Sequence, residues 1–134
     1  MTGLVLKLAP YERLLVNGVI IENGDRRTKL SILTPSVNLL RLRDALHPED
    51  TDTPVKRVCY IAQLALTGDA DPDEAKHQIN HGVDGLSYVF RDEESHSILQ
   101  SAKHALATDQ FYQVLRALRK LLPKENEIMN RYQT

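Results

Sequence analysis

Basic side chains near the start of the chain are the residues whose type and spacing best suit a chemical role. Arg26, Arg27 and Lys29 lie within four positions, and Arg41 and Arg43 alternate with leucines, which places that pair on one strand face. Guanidinium forks bind phosphate oxygens in pairs, and phosphate contacts dominate affinity for nucleic acids. The predicted phosphate-binding residues are therefore Arg26, Arg27, Lys29, Arg41, Arg43, Lys56 and Arg57.

The same cations have a plainer interpretation as a solvated surface. Glu12, Glu22 and Asp44 are near enough in sequence to pair with them, and the residues alone favour this reading slightly. Limited base stacking could come from Tyr11 and Tyr60, although aromatic residues make up only 5% of the chain. Both interpretations stay open at the level of sequence.

A metal site is the second chemistry that the spacing of side chains suggests. His77 and His81 share one helix face, with Glu74 one turn before them and Asp84 three residues after. The residue after His77 is Gln78, so the general base of an H-E-x-x-H hydrolase is missing. We interpret the two histidines as polar surface and predict no bound metal.

Catalytic motifs are missing elsewhere too. The sequence has no phosphate-binding glycine loop and no G-x-S-x-G nucleophile motif. The single cysteine, Cys59, falls on the apolar face of a predicted helix, which is typical of a buried structural thiol. The carboxylates from Asp69 to Glu74 lack the spacing of a calcium loop and suit the start of a helix. We therefore expect neither an enzyme nor a cofactor.

The distribution of charge says more than the net charge of −1. Residues 1–60 carry 9 Lys and Arg against 7 Asp and Glu, residues 61–100 carry 2 against 8, and residues 101–134 carry 6 against 3. An anion-binding surface should therefore come from the ends of the chain. One cysteine, no apolar run of membrane-spanning length and no visible signal peptide predict a cytoplasmic protein.

Short strands are expected to position the first group of cations. Two Asn-Gly pairs, Asn17-Gly18 and Asn23-Gly24, are strong hairpin signals and predict a tight antiparallel β-meander. Apolar residues lie on both faces of several strands, so both faces should be covered, one of them by helices and the other by a second copy of the chain. The predicted strands are Gly3–Leu8, Leu14–Val16, Val19–Glu22, Lys29–Leu33 and Val37–Arg43.

About four helices should follow over residues 53–123. Thr53-Pro54 and Asp71-Pro72 each place a capping side chain before a proline, which is typical of a helix start. The third predicted helix is Ser95–Ala107, and the fourth carries a leucine-rich stripe and ends at Pro123. The sequence thus predicts one α+β domain over 1–134, with a β-rich part at 1–45 and a polar tail at 124–134.

Several segments of the N-terminal half form a pattern longer than any turn signal. The pattern runs through Leu6–Arg13 and Val16–Thr28 and continues from Leu40-Arg41 to Thr53–Tyr60; its most specific part is Asn17-Gly18 to Asn23-Gly24-Asp25-Arg26-Arg27. In these segments the chain resembles the FlbT family of flagellar-biosynthesis regulators. From Leu66 onward it shares a helical pattern with the family more than a motif.

The resemblance implies a role in flagellum biogenesis. Members of the family act on the 5′ untranslated region of flagellin messages; some repress and hasten message decay, whereas others activate. The family is also linked to a small helical partner, FlaF. No catalytic or RNA-contacting residues come with the resemblance, so the seven cations remain an interpretation of this sequence alone.

We therefore expect a post-transcriptional repressor that binds the leader of flagellin mRNA, blocks ribosome access and promotes decay. Its expected partners are this leader, a FlaF-like helical protein, flagellin and a second copy of the chain, with no membrane partner. The alternative is a protein-interaction module that holds FlaF or flagellin and affects mRNA indirectly. In that case the helical half, with its leucine-rich last helix, would be the partner surface.

Overall fold

The computed structural model describes residues 4–34, 37 and 39–132 of the chain. Gly3 and Asn38 of the predicted strands, and residues 133–134 of the predicted tail, lie outside the described residues. The chain divides into two compact units, with the boundary between Ala45 and Leu46. The first unit contains the strands and the second contains the long helices, which confirms the α+β class.

The described part of the first unit holds five short antiparallel strands in two sheets. One sheet pairs β1 (Leu4–Leu8) with β4 (Thr28–Ile32). The other places β2 (Arg13–Val16) between β3 (Val19–Glu22) and β5 (Leu39–Arg41). β3 is therefore an edge strand, and a 3₁₀ turn at Leu42–Asp44 follows β5 directly.

The first Asn-Gly pair forms the predicted hairpin. Asn17 has φ 48 and Gly18 has φ 82, the two left-handed positions of a tight turn between β2 and β3. The second pair does not join β3 to β4, because β4 pairs with β1 instead. The side chain of Asn23 instead donates hydrogen bonds to the carbonyls of Ala9 and Arg26. A turn signal from two adjacent residues could not predict the contact with Ala9, which is 14 positions away.

The core of the first unit is a cluster of leucines from different strands. Leu6, Leu8 and Leu14 are buried together, and four half-buried side chains pack against them: Val16, Leu30, Ile32 and Leu39. Both faces of β2 are buried, since Leu15 on the opposite side is 4% exposed. β3 differs, because its three apolar side chains are largely exposed, at 60% for Val19, 57% for Ile20 and 42% for Ile21.

The second unit begins with a 3₁₀ turn at Pro48–Asp50 and continues as α-helices. The helices are α1 (Pro54–Thr67), α2 (Pro72–Leu86), α3 (Glu93–Ala107), α4 (Phe111–Arg119) and α5 (Leu122–Arg131). None of the helices in the described part of the chain combines the length and apolar character that a membrane crossing requires.

Predicted capping residues determine the ends of α1 and α2. The side chain of Thr53 accepts a hydrogen bond from the backbone N–H of Lys56, and that of Asp71 accepts one from Glu74. Gly68, with φ 83, ends α1 in the left-handed region. Gly82 lets α2 approach α1 closely, because a Cβ there would lie 2.6 Å from a methyl carbon of Val58.

The end of the chain departs from the predicted layout. Pro123 does not end the fourth helix but lies in the first turn of α5, where its missing N–H has no intrahelical partner to lose. Glu125 then buries its carboxylate at the start of α1, where it accepts hydrogen bonds from Thr53 Oγ1 and, at 2.8 Å, from the N–H of Val55. Part of the predicted polar tail is therefore an ordered helix, held by capping contacts between residues about 70 positions apart.

Candidate nucleic-acid interface

A basic pocket lies in the first unit where β1 ends and β4 begins. Its volume is about 280 Å³, and its rim carries four cationic side chains with no acidic one among the described lining residues. Three separate segments contribute, so the pocket is formed by the fold and not by one basic run. The lining residues are Lys7, Leu8, Ala9, Arg27, Thr28, Lys29 and Arg43.

Lys7 and Lys29 are directly opposite each other on the paired strands β1 and β4. Like charges at opposed positions of an antiparallel pair destabilise a sheet by about 0.2–1 kcal/mol. Neither lysine forms an ion pair with a carboxylate in the part of the chain that the structure describes. Their charges are therefore concentrated and unneutralised, which is the electrostatic character of an anion site.

Asn23 holds the loop that brings Arg27 to the pocket. Its side-chain amide donates to the carbonyls of Ala9 at 2.8 Å and Arg26 at 2.9 Å, and its oxygen accepts a hydrogen bond from Thr28 Oγ1 at 2.8 Å. The N–H of Tyr11 also donates to the carbonyl of Gly24 at 2.9 Å. These bonds join two sides of the pocket, so its rim is organised before any ligand arrives.

A buried ion pair supports the opposite side of the pocket. Arg41 donates two hydrogen bonds to Glu12, at 2.6 and 2.7 Å, and one to the carbonyl of Lys7 at 2.7 Å. The hydrogen bonds from Arg41, followed by one from the N–H of Ala9, lower the pKa of Glu12 to about 2. The carboxylate in turn raises the pKa of Arg41. Glu12 therefore ties the strand end that carries Lys7 to the end of β5.

Arg41 and Arg43 do not share a strand face, which corrects one expectation from the sequence. β5 ends at Arg41, and Arg43 lies in the 3₁₀ turn that follows. Arg41 is turned inward onto Glu12, whereas Arg43 lines the pocket and is 57% exposed, with its Nε 3.9 Å from both Glu12 and Asp44. Arg41 thus positions the backbone, and Arg43 is the arginine that an external anion can reach.

The pocket gathers three of the seven predicted cations, namely Arg27, Lys29 and Arg43. Arg26 is exposed but does not line the pocket, and its carbonyl accepts the hydrogen bond from Asn23. Lys56 and Arg57 belong to the second unit, where Lys56 lies 3.4 Å from Asp52. The predicted set of seven therefore does not form a single cluster within either unit.

Lys7 is the member of the pocket that sequence reasoning missed. Its signal was present, since a lysine between Leu6 and Leu8 in a strand must point away from the leucine core. The sequence did not show that Lys29 lies opposite Lys7, because the pairing of β1 with β4 brings together residues 22 positions apart. The strand order was needed to place Lys7 beside Lys29.

The two tyrosines considered for base stacking have different surroundings. Tyr11 is 63% exposed and has φ 60, a left-handed conformation that is uncommon for an aromatic residue. It belongs to the loop that hydrogen-bonds to Gly24, close in the chain to the pocket residues Leu8 and Ala9. Tyr60 is half-buried on α1 in the second unit. Tyr11 is thus the ring available to solvent in the unit that carries the pocket.

Three further features that the sequence suggested lie in the second unit: the two histidines, the cysteine and the leucine stripe. His77 and His81 are exposed on α2, and the described residues contain no group of three or more side chains placed to hold a metal ion. Cys59 is buried, and that burial raises the pKa of its thiol to about 12, so it stays protonated and unreactive near neutral pH. The leucine stripe of the fourth predicted helix is buried at Leu115, Leu118 and Leu121.

Comparison with known proteins places the chain in a family. The family model described as "Flagellar protein FlbT" matches residues 4–129. A "Probable flagellum biosynthesis repressor protein FlbT" from Chelativorans sp. (strain BNC1) is 31% identical over 125 residues, covering 93% of this chain and 85% of that protein. Proteins of the same name from Brucella abortus (strain S19) and Brucella suis biovar 1 (strain 1330) are each 28% identical, covering 96% of this chain and 83% of theirs. No solved structure matches the chain. The match over nearly the whole sequence shows that this chain belongs to the FlbT family of flagellar proteins.

Proposed function

We propose that this protein represses flagellin synthesis by binding the 5′ untranslated region of flagellin mRNA through the basic pocket of its first unit. Its relatives bear the name of flagellum biosynthesis repressors, which supports a regulatory role. The observation that carries the RNA part is the convergence of Lys7, Arg27, Lys29 and Arg43 with no acidic side chain among the described lining residues. Such clusters suit the phosphates of a nucleic acid.

The mechanism requires no catalytic step by the protein. Bound to the leader of the message in the cytoplasm, it blocks the approach of the ribosome, and an untranslated message is then open to nucleases. Unpaired leader segments are the natural ligand, because proteins reach the bases of RNA mainly in single-stranded regions. Tyr11, exposed in the first unit, can stack on one base, and the four cations hold the phosphates.

Salt dependence gives the first test of this proposal. For single strands, the logarithm of the binding constant falls with the logarithm of the salt concentration by about 0.7 for each phosphate neutralised. Four cations therefore give a slope of about −3 in fluorescence-anisotropy titrations with a flagellin mRNA leader. A slope near zero would show that the pocket does not bind the leader through phosphates.

Two neighbouring arginines supply a matched pair of variants. Arg27 lines the pocket, whereas Arg26 does not, although both are exposed in the same loop. We expect Arg27→Gln to weaken leader binding about tenfold or more, since a hydrogen bond to a charged group contributes about 1.5–3 kcal/mol. Arg26→Gln should reduce the affinity for the leader only slightly, because the lost positive charge acts on the RNA from outside the pocket. Equal losses in the two variants would mean that the pocket has no special role.

A second copy of the chain is the partner that we propose for β3. This edge strand exposes Val19, Ile20 and Ile21, with no charged side chain among the three to discourage pairing. A two-fold axis would pair two such strands antiparallel and cover the unpaired backbone edge of both at once, with the charged Glu22 at the end of each strand. The dimer would present two basic pockets to one message and so increase its apparent affinity.

Light scattering at micromolar concentration tests the proposed dimer. Ile20→Lys should convert it to a monomer, because a charge at the centre of the paired edge would be buried without a partner. Leu33→Lys is the control, since Leu33 is 74% exposed and lies outside β3. A wild-type protein that is monomeric at this concentration would remove the dimer and leave the RNA site as it stands.

The second candidate function is the binding of a protein partner, such as a FlaF-like helical protein or flagellin. The expected leucine surface is buried, but α3 and α4 border a wide polar groove of about 600 Å³ with no Asp, Glu, Lys or Arg among its described lining residues. Amides and hydroxyls there can bind a polypeptide largely independently of salt. The lining residues are Ser97, Gln100, Ser101, His104, Ala105, Gln110 and Gln113.

One experiment distinguishes the two proposed functions. The leader is titrated with the protein alone and with the protein plus FlaF, at low and high salt. Direct, salt-sensitive binding supports RNA recognition by the first unit. A stable protein complex with no RNA binding in either form would assign the function to protein interaction.

A further inference from the structure

We propose that the basic pocket binds the terminal phosphate group at the 5′ end of an RNA, and not an internal phosphodiester. This inference rests on the proposed RNA-binding function and specifies the part of the RNA that the pocket takes. The observation behind it is the concentration of four cations around a space of about 280 Å³.

Three cations of the pocket, Lys7, Arg27 and Lys29, have no carboxylate partner among the described residues, and together they exceed the single charge of an internal phosphate. Arg43 adds a fourth cation, although its Nε also lies 3.9 Å from Glu12 and Asp44. A phosphodiester carries a single negative charge, whereas a terminal phosphate monoester carries between about −1.5 and −2 near neutral pH and has three acceptor oxygens. A 5′-triphosphate carries more negative charge and more acceptor oxygens than a monophosphate. Lys7, Lys29, Arg27 and Arg43 therefore match a terminal group better than they match one link of a chain.

The arrangement of the cations also favours an end over a passing strand. A protein that follows an internal stretch of single-stranded RNA places its positive charges along a groove. Here the charged residues come from three segments of the chain that line one pocket: Lys7 near the end of β1, Arg27 and Lys29 around the start of β4, and Arg43 in the 3₁₀ turn. Donors that converge on one pocket suit a phosphate group at which the RNA chain ends.

The chemistry of the four side chains fits several phosphate oxygens at once. The guanidinium forks of Arg27 and Arg43 can each bind two oxygens, while the ammonium groups of Lys7 and Lys29 act as mobile point charges. The backbone segments that carry these side chains are held by Asn23 and by the Glu12–Arg41 pair, so binding need order only the side chains themselves. An untranslated leader begins at the 5′ end, so a protein bound there stands at the start of the message.

The test compares RNAs of identical sequence that differ only at the 5′ end, carrying a hydroxyl, a monophosphate or a triphosphate. We expect the triphosphate RNA to bind at least tenfold more tightly than the hydroxyl RNA, with the monophosphate between them. This preference should vanish in a Lys7→Gln/Lys29→Gln variant and persist in a Lys76→Gln/Lys103→Gln variant of the second unit. Circular dichroism would confirm that each variant remains folded.

The other outcomes have separate meanings. Equal binding of the three RNAs by the wild-type protein would overturn the end-recognition inference and leave the proposed RNA function intact. If none of the three RNAs binds, both fail. A free nucleoside triphosphate that competes as strongly as the triphosphate RNA would assign the pocket to a nucleotide and also overturn the inference.

Discussion

Several lysines of the second unit are paired with carboxylates, whereas two opposed lysines of the first unit are not. In the second unit, Lys76 lies 3.1 Å from Asp109, Lys124 lies 2.5 Å from Asp92, and Lys103 pairs with Asp84. In the first unit, Lys7 and Lys29 are placed face to face without an acidic partner among the described residues. These three lysines of the second unit are neutralised by carboxylates, while the two opposed lysines of the first unit keep their charge for a ligand outside the chain.

The carboxylates show the same contrast. Glu125 of the second unit is buried at the start of α1 and satisfies backbone and hydroxyl donors there, which stabilises the fold. Glu12 of the first unit is also buried, but its partner Arg41 extends to the carbonyl of Lys7 at the pocket. The buried carboxylate of the first unit therefore supports the pocket. In this unit the buried charges position the backbone, and the exposed charges are available to a ligand.

The largest effect that we expect comes from breaking the buried pair. Glu12→Gln leaves Arg41, whose side chain is only 17% exposed, without its counter-charge, and should lower the free energy of unfolding by about 3 kcal/mol. Urea denaturation measures this change. The matched variant Glu127→Gln in α5 removes an exposed pair with Arg131 and should cost less than about 0.5 kcal/mol. Similar losses in both variants would contradict the special role of Glu12.

Acid should weaken the same pair in a defined range of pH. The pKa of Glu12 in the folded protein is about 2, below its ordinary value of 4.5, so its stabilising effect is complete above pH 4.5 and disappears as the pH falls toward 2. The urea midpoint of the wild-type protein should therefore fall more steeply between pH 5 and about 3 than that of Glu12→Gln. Parallel curves for the two proteins would show that Glu12 is not coupled to folding in this way.

A smaller effect, opposite in sign between the units, should follow removal of the surface lysines. Lys7→Gln/Lys29→Gln relieves a like-charge pair and should raise the stability by up to about 1 kcal/mol. Lys76→Gln/Lys103→Gln removes two ion pairs and should lower it by a few tenths of a kcal/mol. Thermal unfolding distinguishes the two directions, and destabilisation by the first variant would show that Lys7 and Lys29 are structural.

Local signals in the sequence were enough for much of the fold. Thr53-Pro54 and Asn17-Gly18 each act through neighbouring residues, and each has its predicted role. Pro123 was misjudged because a proline that ends one helix and a proline in the first turn of the next look alike without the buried contact of Glu125. Short-range rules therefore succeeded where short-range contacts determine the conformation.

The pocket could be predicted only in part, because long-range pairing builds it. Arg27 and Lys29 belong to a recognisable basic run. Arg41 was predicted to bind phosphate, with pairing to Glu12 as the alternative, and Glu12 holds it inside the fold. Asn23 gave a hairpin signal, yet it serves to bind Ala9 across the pocket. A sequence indicates which residues are charged; the strand order decides which charges remain exposed.

The most direct test of the central claim is to map the amide signals of the labelled protein by NMR while a short single-stranded RNA is added. Charge left unneutralised in the first unit should draw the RNA there, so shifts should concentrate at residues 6–12, 23–29 and 41–44 around the pocket. The polar groove between α3 and α4 should remain unchanged. Shifts confined to that groove, with none around Lys7 and Lys29, would contradict the assignment of the pocket as the RNA site.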